Sequence, residues 1–266
     1  MGSERRPAGE AWTPSEMMTA VAARELRDGE ICFVGIGLPN LACNLARVTH
    51  APNLVLIYES GTVGSTPERL PVSIGDPSLV AGALMVVGIP ELFQYFLQAG
   101  RVDVGFLGGA QIDRYGNINS TVIGEYQSPK VRLPGSGGAA EIAAHARRTL
   151  VMARLGRRTF PDRVDFITSM GHRAKGRTRR ELGLPGEGPV RVITDKAVLA
   201  VDAIEGELVL AGLYPGATRE EVSAKVGWEL RDAHNLETVN PPSASELRLM
   251  REELDPAGLY LPRSAG

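Results

Sequence analysis

Almost wholly apolar segments alternate along the chain with segments in which apolar residues recur at helical spacing. Residues 30–34 and 54–58 are rich in aliphatic and β-branched side chains, which predicts strands buried on both faces. The sequence Thr-Pro-Ser-Glu at residues 13–16 predicts a capping box at the start of a helix that runs to Gly29. A second predicted helix, at residues 41–48, separates the two strands. The first quarter of the chain therefore predicts a strand–helix–strand unit.

The same periodicities continue through the rest of the chain. Residues 62–78 are rich in Gly, Pro, Ser and Thr and predict a long loop over the sheet edge at which the second strand ends. Further strands are predicted at residues 102–107, 118–123, 150–153, 164–168, 190–201 and 207–213, and further helices at residues 90–100, 140–148, 218–229 and 243–254. Strands that first alternate with helices and later come in pairs predict an α/β fold, with an open, mostly parallel sheet and flanking helices.

The domain prediction follows from where these patterns begin and end. Residues 1–12 are polar, with Pro and Gly, and predict a disordered lead-in. Residues 13–254 predict a single domain, and residues 255–266 a C-terminal tail.

Composition narrows the function classes. A net charge of −2 and a pI near 6.1 argue against a general nucleic-acid binder. With two cysteines and four scattered histidines, a zinc site is disfavoured. The two cysteines indicate a reducing compartment rather than a disulfide framework. The N-terminus lacks the apolar core of a signal peptide, and the apolar stretch at residues 79–89 is shorter than the ~20 residues that span a bilayer. We therefore expect a cytoplasmic protein without metal, membrane or nucleic-acid partners.

The strongest candidate for chemistry is Glu59, which directly follows the second predicted strand. Ser60 and Gly61 come next and allow the backbone to turn sharply. Open α/β folds bind their ligands at the carboxyl ends of parallel strands, so a carboxylate at this position is placed to react. We predict that Glu59 is the chemical centre.

The sequence Gly-Ile-Gly-Leu-Pro-Asn at residues 35–40 raises a competing interpretation. Glycines after a strand, with an acidic residue about 20 positions later, are typical of nicotinamide dinucleotide binding. Asn40 stands where the third glycine of that pattern belongs, and Pro39 removes a backbone donor from the turn. A general strand–helix–strand unit that uses glycines for turning is therefore the favoured interpretation.

Two later segments leave alternatives open. The glycine-rich loop at residues 135–139 leads into a helix and suits an anion or a developing oxyanion, but it is equally typical of a plain connecting loop. The basic, glycine-containing segment at residues 171–188 includes Arg173, Lys175, Arg177 and Arg179. Such a charge run is typical of a solvated surface, and phosphate binding is the alternative.

Four segments in this order resemble the β subunit of family I CoA-transferases, and within that family the glutaconate CoA-transferase group. They are residues 35–40, the Tyr-Glu-Ser-Gly of residues 58–61, the Gly-Gly-Ala-Gln-Ile-Asp-Arg-Tyr-Gly-Asn of residues 108–117, and the Leu-Pro-Gly-Ser-Gly-Gly-Ala of residues 133–139. The resemblance spans roughly residues 17–229. It implies the CoA-transferase type of α/β sheet, with Glu59 as nucleophile.

The chemistry that the resemblance implies proceeds through Glu59. The carboxylate attacks an acyl-CoA to give an acyl-glutamyl anhydride, CoA thiolate converts this into a glutamyl-CoA thioester, and a second acid leaves as the new acyl-CoA. CoA esters are then substrates, and no tightly bound cofactor is required. The acid is a small carboxylic acid, with a dicarboxylic acid as one candidate.

The resemblance, together with the basic segment that contains Arg173 and Lys175, suggests roles for other positions. The oxyanion or substrate-binding candidates are Gly137, Gly138, Gln111, Ser60 and Gly61. The CoA-binding candidates are Gly37, Asn40, Gly108, Gly109, Arg173 and Lys175. For Gln111, a satisfied strand-end amide is an equal alternative, and Asp113 and Asn117 are expected to fix a turn.

The same likeness implies a partner and leaves rival functions. Enzymes of this family have two homologous halves, so a separate α subunit is expected in a heterotetramer or larger complex. The β chain is then active only with that subunit. The rivals are a family relative that decarboxylates or hydrolyses a CoA ester, and a subunit without chemistry of its own.

Overall fold

The computed structural model describes residues 12–261, which form two compact units: residues 12–94 with 240–261, and residues 95–239. Residues 1–11 of the predicted lead-in, and residues 262–266 of the predicted tail, lie outside the described residues. Within residues 12–261, no helix has the length and apolar character needed to cross a bilayer.

Four strands of the first unit lie side by side. β1 (Ile31–Phe33) and β2 (Val55–Ile57) pair in parallel, as expected for a strand–helix–strand unit. β3 (Thr62–Val63) then pairs antiparallel with β2, and β4 (Met85–Val86) antiparallel with β3. The loop predicted at residues 62–78 instead occupies residues 64–84, because β3 takes the first two predicted loop residues and β4 begins only at Met85.

The helices of this unit begin at clear sequence signals. α1 (Pro14–Arg24) has the predicted capping box: the Thr13 hydroxyl accepts from the Glu16 N–H, and the Glu16 carboxylate accepts from the Thr13 N–H at 2.7 Å. α2 (Leu38–Thr49) begins three residues earlier than predicted, because Pro39 is tolerated in a first helical turn. α3 (Ile89–Glu91) continues as a π-helical segment, Leu92–Gln98.

The core of the first unit is formed where α1 packs against α2 beside the strands. Met17, Leu41, Leu56 and Tyr58 are among its fully buried side chains.

The second unit contains the remaining strands. They are β5 (Val104–Leu107), β6 (Gln111–Ile112), β7 (Ile118–Asn119), β8 (Val122–Gly124), β9 (Pro129–Arg132), β10 (Arg148–Met152), β11 (Arg173–Ala174), β12 (Arg177–Thr178), β13 (Pro189–Ile193), β14 (Ala197–Val201), β15 (Leu208–Leu213) and β16 (Asp232–Thr238). β5, β10 and β13 are adjacent and parallel, β14 and β15 continue the sheet antiparallel, and β16 joins β15 in parallel. The pairs β6–β7, β8–β9 and β11–β12 form small antiparallel ribbons.

Short helices complete the chain. In the second unit, α4 (Ala139–His145) follows the glycine-rich loop, and α5 (Arg219–Ser223) ends earlier than the predicted residue 229. In the first unit, α6 (Ala244–Arg248) extends as a π-helical segment, Leu249–Leu254, over the predicted span.

The predicted fold class is confirmed: ten of the described strands belong to a large mixed sheet in which parallel pairs are extended by antiparallel strands, with helices beside them. One predicted strand is wrong. Residues 164–168 are irregular, and the Asp165 N–H donates to the Gln111 side-chain oxygen at 3.0 Å instead of to a neighbouring strand.

Candidate active site

Glu59 lies at the tip of the tight turn between β2 and β3. The turn closes through two backbone hydrogen bonds, from the Tyr58 N–H to the Thr62 carbonyl at 3.0 Å and from the Gly61 N–H to the Tyr58 carbonyl at 2.9 Å. Tyr58 is fully buried, Glu59 is half-buried and Ser60 is exposed. The chain therefore leaves the core at Glu59, and its carboxylate stands at the carboxyl end of a parallel strand, as predicted.

Gly61 fixes the shape of this turn. Its φ of +103° lies where side chains are disfavoured, and a Cβ atom built there would stand 2.0 Å from the Val87 carbonyl oxygen. The Val87 N–H in turn donates to the Gly61 carbonyl at 3.0 Å. The backbone after β4 thus clamps the turn from one side, and only glycine admits this close approach.

A buried polar chain supports the turn from below. The Asn40 amide nitrogen donates to the Tyr58 hydroxyl at 2.7 Å, and the Asn44 amide donates to the Asn40 side-chain oxygen at 3.1 Å. Burial raises the pKa of the Tyr58 phenol above its usual range, so the hydroxyl stays neutral. Asn40, a predicted CoA-binding residue, is itself fully buried. Its geometry supports a role in holding Tyr58, next in the chain to Glu59, and direct contact with CoA stays a prediction.

Gly37, also predicted to contact CoA, precedes α2 with a φ of +97°. A Cβ atom at this position would meet no heavy atom within 4 Å. The glycine is therefore required by the backbone conformation and not by crowding.

The loop between β3 and β4 is held by a carboxylate. Asp76 binds Arg69 with two hydrogen bonds of 2.8 and 2.9 Å and accepts the N–H groups of Val72 and Ser78. The guanidinium and these backbone donors lower the pKa of Asp76 well below its usual range. The loop that follows Glu59 is therefore locally ordered around one ion pair.

In the second unit, Gly108 and Gly109 directly follow β5. A Cβ atom at Gly109 would stand 2.3 Å from the side chain of Ile118, whereas at Gly108 the nearest contact would be 3.4 Å, to the Met152 carbonyl. Gly109 thus lets the end of β5 lie against β7. CoA binding by either glycine stays a prediction.

Gln111 is buried in a hydrogen-bond network of this unit. Its amide oxygen accepts from Asn119 at 2.7 Å and from the Asp165 N–H at 3.0 Å, and its amide nitrogen donates to the Asp165 carboxylate at 3.2 Å. This geometry supports the alternative of a satisfied strand-end amide, and a substrate contact stays a prediction.

The predicted oxyanion loop has two different glycines. Gly137 is exposed with a φ of +46°, whereas Gly138 is buried and its carbonyl accepts the Ile142 N–H in the first turn of α4. Gly135, two positions earlier, is tied to Ser120 by hydrogen bonds in both directions, each of 2.8 Å. The loop is therefore anchored on both sides of Gly137.

Arg173 and Lys175 lie on the ribbon β11–β12 and line a cavity of about 440 Å³ in the second unit. Asp113 and Asn117 also line it. Asn117 donates to both Asp113 oxygens, at 3.1 and 3.0 Å, and the Tyr115 N–H donates to the same carboxylate. Burial raises the pKa of Asp113 even so. The predicted turn role of Asp113 and Asn117 agrees with these contacts.

Arg179, predicted as part of a solvated charge run, is in fact buried. Its guanidinium donates to the carbonyls of Gly186, Ala143 and Met170, at 2.7 to 2.9 Å, and more weakly to two others. Burial lowers its pKa to about 10, so it stays charged at neutral pH. Because two acceptors belong to α4, Arg179 holds the helix that follows the glycine-rich loop. The sequence contains no signal that separates it from its exposed neighbours.

The predicted site residues thus fall into two groups. The first unit contains Glu59, Ser60, Gly61, Gly37 and Asn40. The first three form the turn, and Asn40 supports it through its hydrogen bond to Tyr58. Gln111, Gly137, Gly138, Gly108, Gly109, Arg173 and Lys175 lie in the second unit. Among residues 12–261, no cluster of three or more His, Cys, Asp or Glu side chains is arranged to hold a metal ion.

A half-exposed glutamate on a glycine-clamped turn, directly after a parallel strand, is typical of α/β proteins that carry a carboxylate at the sheet edge where such folds bind ligands. The family model described as coenzyme A transferase matches residues 15–225, and the chain belongs to this family. The resemblance found in the four sequence segments is confirmed.

Individual relatives agree with this assignment. The chain is 52% identical to the B subunit of 3-oxoadipate CoA-transferase from Pseudomonas knackmussii, over 91% of this chain and 93% of that one. It is 36% identical to the B subunit of glutaconate CoA-transferase from Acidaminococcus fermentans, over 94% and 95% of the two chains. The crystal structure of the Acidaminococcus glutaconate CoA-transferase superposes with a TM-score of 0.88, covering 96% of this chain and 99% of that chain. The decarboxylase AibA/AibB is also similar, with a TM-score of 0.80, 28% identity, and coverage of 92% and 96%.

Proposed function

We propose that this CoA-transferase subunit transfers CoA through a covalent intermediate on Glu59, between an acyl-CoA and a short dicarboxylic acid of the 3-oxoadipate type. The observation that carries the proposal is the Glu59 turn: a half-exposed glutamate directly after a parallel strand, with its backbone fixed by Gly61 and Tyr58. The 52% identity to a chain of a 3-oxoadipate CoA-transferase supports the choice of acid.

The reaction divides into exchanges at one carboxylate. A Glu59 oxygen attacks the thioester carbonyl carbon and the C–S bond breaks. The products of this step are an acyl-glutamyl anhydride and free CoA thiolate. The thiolate then attacks the Glu59 carbonyl carbon, which releases the first acid and leaves a glutamyl-CoA thioester. The second acid then attacks the glutamyl-CoA thioester, which releases CoA thiolate and forms a new anhydride. The thiolate attacks the acyl carbonyl of this anhydride, which releases the new acyl-CoA and restores the Glu59 carboxylate. The anhydride and the thioester are both activated acyl groups of similar free energy, so neither intermediate is much more stable than the other and no single step is strongly uphill.

The rigidity of the turn suits this chemistry. Covalent catalysis gains from a nucleophile that already points at the carbonyl carbon, and the turn leaves the Glu59 backbone little freedom. Gly137 and Gly138 are the proposed oxyanion donors, and one such donor is worth about 3 kcal/mol of transition-state stabilisation. Their loop is held by Ser120 and by α4, which supports a preorganised arrangement.

The proposed site for the CoA phosphates is the cavity that Arg173 and Lys175 line. Three cations, Arg163, Arg173 and Lys175, line this cavity of about 440 Å³ and suit a polyanion. In this proposal Arg173→Glu raises the KM for acyl-CoA, and the matched charge reversal at exposed Arg180 does not. Equal KM values for the two variants would remove the cavity from the proposal.

A separate α subunit completes the proposed enzyme as a heterotetramer or larger complex. The relatives named above are themselves B subunits, which supports this expectation. The purified β chain is then inactive alone and gains activity when mixed with its α subunit.

The test compares Glu59→Gln with Glu68→Gln in the purified complex. Glu68 is a glutamate of the loop that follows the turn and serves as the matched control. Incubation with an acyl-CoA and 3-oxoadipate, followed by chromatography of the CoA esters, should show transfer by the wild type and by Glu68→Gln only. Transfer by Glu59→Gln at the wild-type rate would refute the covalent proposal.

The decarboxylase AibA/AibB gives the second candidate function, because its fold is similar over most of the chain. Decarboxylation predicts that CO₂ is released from an acyl-CoA when no acceptor acid is present. CoA transfer predicts that no CO₂ appears and that product forms only with the second acid. One assay with and without 3-oxoadipate separates the two functions.

A further inference from the structure

Residues 255–261 fold around one carboxylate of the first unit. Asp255 is buried, and its oxygens accept three backbone N–H groups, from Leu259 at 2.6 Å, Tyr260 at 2.9 Å and Leu261 at 2.8 Å. Hydrogen bonds from backbone N–H groups to a carboxylate are among the stronger ones in proteins. We call residues 255–261 the Asp255 loop, and its backbone is therefore well fixed at Tyr260.

The side chain of Tyr260 joins two distant parts of the first unit. Its hydroxyl donates to the carbonyl of Pro71, in the loop at residues 64–84, and accepts the N–H of Gly37, at the start of α2. Burial raises the pKa of Tyr260 to about 12, so the hydroxyl keeps its proton and donates at neutral pH. One hydroxyl thus ties α2 to the loop between β3 and β4.

The contact with Pro71 leads to the backbone clamp on the Glu59 turn. The loop that contains Pro71 joins β3 to β4. β3 directly follows Gly61, and β4 directly precedes Val87, whose N–H and carbonyl lie against Gly61. Because the loop connects the two sides of the clamp, its position affects the turn.

The contact with Gly37 leads to the buried support beneath the same turn. Gly37 is the N-cap residue of α2, and Asn40 lies in the first turn of this helix. Asn40 donates to the Tyr58 hydroxyl at 2.7 Å, and Tyr58 directly precedes Glu59. The position of the α2 N-terminus therefore also affects the turn.

We propose that Tyr260 is a positioning residue for CoA transfer, because its hydroxyl ties together the two supports of the Glu59 turn. This inference rests on the function proposed above. Tyr260 acts through the clamp on one side and through the buried support on the other, without touching substrate. Loss of the hydroxyl removes this partner from the buried Pro71 carbonyl and from the Gly37 N–H, so the loop and α2 are no longer held together. A nucleophile that is held less exactly reacts more slowly, although the substrate still binds.

The test removes one hydroxyl from the purified complex with the α subunit. Tyr260→Phe keeps the ring and deletes only the bridging oxygen. Tyr126→Phe is the matched control, because this tyrosine lies in the second unit and is 51% exposed. Transfer from an acyl-CoA to 3-oxoadipate gives kcat and KM. Hydrogen exchange followed by mass spectrometry reports on the loop at residues 64–84 and on the turn at residues 58–63 without any substrate.

We expect Tyr260→Phe to lower kcat roughly tenfold and to change the KM for acyl-CoA by less than about twofold. Amide exchange should become faster in the loop and in the turn. Tyr126→Phe should match the wild type in all three measurements. A lower melting temperature with unchanged kcat would indicate a merely structural role and would overturn the proposal, as would unchanged exchange in both segments.

A double variant tests whether Tyr260 acts through the Glu59 turn. Tyr58→Phe removes the acceptor of the Asn40 amide beneath the turn. If both hydroxyls act through this turn, Tyr260→Phe should lower kcat by a smaller factor in the Tyr58→Phe background than in the wild type. Equal factors in the two backgrounds would contradict the positioning role. A wild-type complex that transfers no CoA would instead refute the proposed function, and the exchange rates would still show whether Tyr260 holds the turn.

Discussion

Substitution of Gly61 by alanine tests whether the clamped turn positions Glu59. A Cβ atom at this position would stand 2.0 Å from the Val87 carbonyl oxygen, whereas real contacts of this kind are essentially never below 3.0 Å. The turn and the end of β4 must therefore move apart by about 1 Å, a distance that follows from these two values. The hydrogen bond from the Val87 N–H to the Gly61 carbonyl would be strained or lost.

The expected cost has two parts. Left-handed backbone costs an L-residue about 1–2 kcal/mol, and the lost hydrogen bond adds about 1 kcal/mol. Gly29→Ala is the matched control, because Gly29 has a φ of +78° but a Cβ atom there would meet nothing within 4 Å. Urea unfolding should show that Gly61→Ala loses at least about 1 kcal/mol more stability than Gly29→Ala.

Activity gives the second readout. A displacement of about 1 Å at a positioned nucleophile can reduce the rate roughly 100-fold, so Gly61→Ala should lower kcat by that order in the assembled complex. Gly29→Ala should leave kcat unchanged. If both variants keep wild-type kcat and lose equal stability, the clamp does not position Glu59 and this reasoning is refuted.

Three further changes test the framework of each unit. Tyr58→Phe leaves the buried Asn40 amide without its acceptor, so urea unfolding should show a loss of about 1–3 kcal/mol; an unchanged midpoint would contradict the buried hydrogen bond. Arg179→Met leaves several buried carbonyls unpaired and should destabilise by about 2–4 kcal/mol, whereas Arg180→Met on the exposed surface should change stability by less than about 0.5 kcal/mol. Burial alone would raise the pKa of Glu16, but its ion pair and capping hydrogen bonds lower it below the ordinary 4.5. Because ionised Glu16 favours the native state, its contribution is present above pH 4.5 and is lost as the pH falls below it; Glu16→Gln should flatten the acid limb of a stability-against-pH curve, and an unchanged limb would count against the pair.

Local sequence signals account for much of the fold. The capping boxes at Thr13 and Thr218 place the starts of α1 and α5 because their side chains satisfy backbone groups within the same turn. β1, β2 and β5 are also found close to their predicted positions, since unbroken aliphatic runs have few alternatives to burial. These features depend on neighbours in the chain, so the sequence alone is sufficient to predict them.

Features that depend on distant contacts could not be predicted in the same way. β3 and β4 have two residues each, too few to show alternation, and they exist because they pair with β2 and with each other. β16 is mostly polar and exposed, so nothing in its pattern predicts a strand. Arg179 differs from Arg180 only by the carbonyls that surround it in the folded chain.

The candidate site follows the same division. Glu59 could be singled out because a charge directly after a buried strand is a local signal, and the likeness to the CoA-transferase family supports it. The hydrogen bond from buried Asn40 to Tyr58 could not be predicted, because only the folded chain brings these two residues, 18 positions apart, together. The need for glycine at position 61 is also invisible in the sequence, since the crowding comes from residue 87, far along the chain.

The most direct test of the covalent proposal is to trap the intermediate on the assembled complex. The complex is incubated with acyl-CoA in the absence of an acceptor acid, reduced with borohydride, digested and analysed by mass spectrometry. If a glutamyl-CoA thioester forms, borohydride should reduce the Glu59 side chain, and no other carboxylate, to the corresponding alcohol. Glu59→Gln should abolish this change. An unmodified Glu59 peptide in a complex that still transfers CoA would contradict the account.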